Sequence, residues 1–101
     1  MSANEIRRKV MTNQKWLERA ILAIDNRQTS DEQVAEVTRY LNGRGWSAAD
    51  AKQGSYLASY IRRSTRPAGQ KLSGRWIETG RDIIAKYCGQ LSRVVAEKAA
   101  A

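Results

Sequence analysis

Wherever this chain carries apolar residues in number, they recur at three- and four-residue spacing, and nowhere do they alternate. The longest stripe is Trp76, Ile77, Gly80, Ile83, Ile84, Tyr87, Cys88, Leu91, Val94 and Val95, which holds helical register for about five turns. Without period-two alternation, no segment reads as a half-buried strand. The apolar fraction is 42%, but much of it is alanine and phenylalanine is absent, so a core forms only where helices approach closely. A length of 101 residues suits one such core and not two. The expectation is an all-α fold, a compact bundle of about four helices.

Local signals divide the bundle. Residues 1–11 are polar and basic and read as a flexible arm. A first helix opens at Thr12 or Asn13, carries Trp16, Leu17, Ala20, Ile21 and Ile24, and stops in the polar run Asp25–Gln28. Thr29 stands three residues before Glu32, the spacing of a capping box, and opens a second helix through Val34, Val37 and Leu41, stopped by Asn42-Gly43. A third runs from Ser47 to about Ser64 through Ala51, Leu57, Tyr60 and Ile61. Pro67 and Gly69 make a loop of Ser64–Lys71, after which Ser73 caps a fourth helix from Gly74 to Val95. The single helical domain is thus 12–95, with a frayed tail at 96–101. The predicted core is Trp16, Ile21, Ile24, Val37, Leu41, Leu57, Ile61, Ile77, Ile84 and Leu91.

Catalytic chemistry is poorly supplied. Histidine is absent, which removes the commonest general base and metal ligand together. Cys88 is the single cysteine and falls on the apolar stripe, as a small buried hydrophobe does. Asp31, Glu32 and Glu36 cluster at a helix start, where they complement the dipole. The expectation is therefore no enzyme, no metal and no cofactor. No apolar run approaches the roughly 20 residues of a membrane span, and no signal-peptide core follows Arg7-Arg8-Lys9. A cytoplasmic setting without membrane association follows as an expectation.

The charge is the informative part. The chain has 18 Lys+Arg against 10 Asp+Glu, a net +8, and no acid lies between Asp50 and Glu78. Into that interval fall Lys52, Arg62, Arg63, Arg66, Lys71 and Arg75, the last five around the end of the third helix and the Pro67 loop. Such a density attracts phosphate. Tyr56, Tyr60 and Arg63 follow i, i+4, i+7 and share a helical stripe on which unpaired bases can stack, unless the tyrosines merely edge the core. Arg44 and Trp46, between glycines, join the candidates, with a packing role for Trp46 as the alternative. A helix-turn-helix is disfavoured, because the Asn42–Ser47 connection is too long and the would-be reading turn holds Asp50.

The landmarks RQTSDEQ at 27–33, NGRGW at 42–46 with Asp50-Ala51 after it, Leu72-Ser73, and KYCGQL at 86–91 resemble, in order and spacing, a small module of bacteriophages and related mobile elements. Trp46 stands where that module more commonly has Phe, and Gly74-Arg75-Trp76 where a Lys-Gln pair is typical. The resemblance implies phage origin, a host-cell setting and a link to nucleic-acid metabolism or host takeover, with no catalytic residues to carry over. The expected function is a phage accessory protein that binds nucleic acid with little sequence specificity. The alternative is an inhibitor of a host defence machine, of the anti-CRISPR type, whose basic face meets an acidic protein surface. A homodimer is open in either case, since the glycines of the fourth helix permit close packing.

Overall fold

The structure is a computed structural model and describes residues 1–31 and 45–100, with side chains for 1–27 and 45–97. The second predicted helix, with Val34, Val37 and Leu41, its Asn42-Gly43 stop and Arg44, lies outside the described residues. What is described is all-α: α1 (Ala3–Thr12), α2 (Gln14–Asp31), α3 (Ala51–Arg63), and a long final run made of α4 (Gly74–Ile84), a 3-10 turn (Ala85–Tyr87) and α5 (Cys88–Ala100). The radius of gyration, 13.0 Å, matches the roughly 13 Å of a compact domain this long.

The N-terminal segment corrects the expectation of a flexible arm. Ser2 caps α1 by accepting the Glu5 N–H at 3.2 Å, and Glu5 in the first turn favours the dipole. Ile6 and Val10, one turn apart, are fully buried against α2 and α5. Two β-branched residues with Ala3 beside them form a stripe one side chain wide. It is easily missed among Arg7, Arg8 and Lys9, yet it anchors ten residues. Asn13 then breaks the register and restarts it, its Oδ1 accepting from the N–H groups of Lys15 and Trp16.

Helix α2 also departs from the sequence reading. It passes through Asp25–Gln28 and is described as far as Asp31, so Thr29 lies inside it and caps no helix beginning at residue 30. The polar run fails as a stop because Asp25 faces inward and is bonded there. Helix α3 begins at Ala51 rather than Ser47, and α5 carries the supposed tail to Ala100. Ser73 stands at the N-cap position of α4, but its hydroxyl makes no capping bond; its carbonyl accepts from Trp76 and Ile77.

The core draws Leu17, Ile21 and Ile24 from α2, Leu57 and Ile61 from α3, and Ile84 and Leu91 from the final run. Trp16 and Ile77, expected at its centre, are half-buried at its edge. Trp46 takes a central place instead, 1% exposed, its indole against Gly54 of α3. A Cβ on Gly54 would stand 2.4 Å from two ring carbons, so glycine is what lets the indole lie there.

Candidate nucleic-acid interface

Two buried carboxylates shape the region of the basic cluster. Glu18, on α2 and 3% exposed, has no cation within ion-pair distance among the described residues. It reads backbone instead. Its Oε1 accepts from Gly69 N–H at 2.7 Å, and its Oε2 accepts from the N–H groups of Lys71 and Leu72 and from the Gln14 amide, which also donates to the Leu72 carbonyl. Charge-assisted bonds of this kind are roughly twice as strong as neutral ones. They fix the 64–73 loop in a shape that puts Gly69 at φ 91°, a region open to glycine. The Lys71 ammonium completes the loop from outside, donating to the carbonyls of Ser64 and Arg66 at 3.0 and 2.8 Å.

Asp25, 6% exposed, is the second centre. Its Oδ1 accepts from the Trp46 indole N–H at 3.0 Å and from Ser55, and its Oδ2 pairs with Arg62 at 2.7 Å. A second Arg62 nitrogen donates to Asn26. Arg62 therefore joins α3 to α2, and its charge is balanced within the fold.

The same economy holds the KYCGQL segment against Gly45, Trp46 and Asp50. Tyr87 lies edge-on to Trp46, ring centroids 5.1 Å apart, and its hydroxyl donates to Asp50 at 2.7 Å and accepts the Ser47 N–H at 2.9 Å. Gln90 pairs its amide with both the N–H and the carbonyl of Gly45. Lys86 closes an ion pair with Asp50 at 3.0 Å. Burial pushes the Asp50 carboxyl up, but the bonds from Tyr87, Lys86 and Ser47 outweigh it and hold the group below the usual carboxylate range. The Asp50 partner raises Lys86, while burial chiefly raises Tyr87. These residues hold 45–50 on the final helical run.

Once the structural roles are assigned, a smaller set of candidates remains on the surface. Arg63, Arg66, Arg75 and Lys52 are exposed and make no ion pair among the described residues. They surround aromatic rings. Tyr56 packs on Trp76 with centroids 5.4 Å apart and planes at 48°, and the Arg75 guanidinium lies 5.5 Å from the Trp76 ring centre. Tyr56, Trp76, Lys52, Ser59 and Arg63 line an open groove of about 1160 Å³. A second hollow of about 510 Å³ shares Tyr56 and Arg63 and continues to Tyr60 and Arg66.

The predicted cluster is therefore split. Arg63, Arg66, Arg75 and Tyr56 stay at the surface, with Tyr60 half-buried beside them. Arg62 and Lys71 are committed to the fold, and Trp46 is withdrawn from the candidate site altogether because it is a core residue. Arg44 lies outside the described residues. One member escaped the sequence reading: Trp76 was absorbed by the apolar stripe it belongs to. Lys52 was counted in the acid-free interval but, ten residues from the rest of the cluster, was left out of the candidate site. No helix among the described residues is long and apolar enough to cross a membrane. Comparison with protein-family models, curated proteins and solved structures finds no match.

Proposed function

We propose that this chain binds nucleic acid through its phosphate backbone, with little sequence preference, at the face formed by Arg63, Arg66, Arg75 and Lys52. The reading includes its setting: an accessory protein of bacteriophage type, acting in the host cytoplasm by binding rather than by catalysis. One observation carries it. Four cationic side chains without a carboxylate partner among the described residues share one surface with exposed aromatic rings. A merely solvated helix face explains a helix C-terminal arginine such as Arg63. It does not explain Arg66 in the loop or Arg75 at the first turn of α4, where a cation opposes the dipole.

Phosphate neutralisation releases counterions, so affinity should fall with salt at a logarithmic slope of about −0.7 to −0.9 per contact. Changing Arg63, Arg66 and Arg75 together to Gln should weaken binding to every sequence and flatten that slope by about two to three units. Arg62 is excluded from the set, since it is bonded to Asp25 and Asn26 and its loss would disturb the fold. Fluorescence anisotropy at two salt concentrations reads both effects. Absence of binding to DNA or RNA at low salt would refute the reading and turn the same face into a candidate surface for an acidic protein.

A further inference from the structure

We infer that the polymer taken by this face is single-stranded, with unpaired bases stacking on the Tyr56–Trp76 pair while Arg63, Arg66 and Arg75 meet the phosphates. The inference rests on the nucleic-acid reading above and adds the substrate class.

It starts from the contrast between two tyrosines. Tyr87 is 5% exposed and its hydroxyl is bonded to Ser47 and Asp50, as a structural tyrosine requires. Tyr56 is 47% exposed, and its hydroxyl makes no hydrogen bond among the described residues. Its ring leans on Trp76, which is itself only half-buried, so the pair presents aromatic surface to an open groove. A duplex has no use for such a surface, because its base faces are stacked on one another and only edges and phosphates are accessible. An unpaired base offers its face, and aromatic stacking tolerates any sequence. Charge is placed to match. Arg63 lines both hollows, Arg66 lines the second, and the Arg75 guanidinium lies against Trp76. Arg62 also lines the groove, but its charge is balanced by Asp25 and its terminal nitrogens donate to Asp25 and Asn26, so it adds no net charge there.

The test is anisotropy on labelled 12-mers of single-stranded DNA, single-stranded RNA and duplex DNA. It uses the full chain, Tyr56→Ala and Arg63→Gln/Arg66→Gln, with circular dichroism confirming that each variant is folded. Single strands of one or both sugars should bind more tightly than the duplex. Tyr56→Ala should lower single-strand affinity by about 5- to 150-fold per stacked base lost and leave duplex affinity within twofold. Arg63→Gln/Arg66→Gln should weaken all three. Duplex binding as tight as single-strand binding, or an equal loss on every probe for Tyr56→Ala, overturns the single-strand inference while leaving the phosphate reading in place. No binding of any probe overturns both.

Discussion

Alanine at Gly54 and alanine at Gly89 should move stability in opposite directions, although both replace a helical glycine. Relative to glycine, alanine favours a helix by about 1 kcal/mol. At Gly89, exposed and with nothing within 4 Å of the added carbon, that gain stands alone. The melting temperature should rise by a few degrees. At Gly54 the new Cβ would meet three Trp46 ring carbons at 2.4, 2.4 and 2.8 Å. The indole is rigid, fully buried and tied to Asp25, so it cannot swing aside cheaply. Overpacking costs about 1–3 kcal/mol. If the ring shifts far enough to break the Asp25 bond, about 1.5–3 kcal/mol more is lost. With that bond broken, a net loss of about 1.5–5 kcal/mol remains after the propensity gain, or roughly 6–40 °C in melting temperature for a domain of this size. Thermal denaturation followed by circular dichroism reads both variants. Adding Trp46→Phe to Gly54→Ala should recover part of the loss, as coupled neighbours do. The reasoning fails if Gly54→Ala is as stable as the parent chain, or if both glycine variants shift the same way.

Glu18→Gln replaces one acceptor oxygen by a donor facing backbone N–H groups, and should cost about 2–4 kcal/mol and expose Lys71 to trypsin. Urea titration and mass spectrometry of the first cleavage check it, and an unchanged digest would sink it. Arg62→Gln removes the ion pair to the buried Asp25 and should destabilise by about 1–3 kcal/mol, discounted for the partly exposed guanidinium. Arg63→Gln and Arg66→Gln should stay within about 0.5 kcal/mol of the parent. Similar melting shifts for all three would show that Arg62 has no special role. The depressed Asp50 pKa contributes stability above the ordinary carboxylate range, near 3.8, and loses it as pH falls through the lower folded value. The raised Tyr87 pKa works the other way, its contribution being lost as pH rises through a folded value above 10.0. Tyr87→Phe should therefore be less stable than the parent at pH 7, and the difference should shrink below about pH 4. A difference constant across that range would contradict the assignment.

The helical class and the positions of α3 and α4 could be read from the chain because their apolar stripes are wide and glycine and proline mark the loop between them. What could not be read shares one cause, the use of polar side chains as interior connectors. Asp25 looked like part of a helix stop and is instead the acceptor for Trp46, Ser55 and Arg62. Glu18 gave no signal, since its partners are backbone N–H groups some fifty residues away in sequence. The basic cluster was visible as charge, but composition does not distinguish Arg62, held by Asp25, from Arg63 beside it. The narrow Ile6–Val10 stripe failed for another reason: two buried residues among ten do not outweigh their charged neighbours in any periodicity.

Because Glu18 grips the 69–72 segment through backbone amides, the form of the loop is independent of part of what the loop displays. Ala68 and Gln70 are exposed, and neither takes part in the grip. Gly69 for its backbone, Lys71 for its bonds to the Ser64 and Arg66 carbonyls, and Leu72 for the core are bound to their identities. Substitutions at 68 and 70 should thus rewrite the chemistry of this surface without remaking its shape, which makes the loop a natural graft point on an otherwise unchanged scaffold.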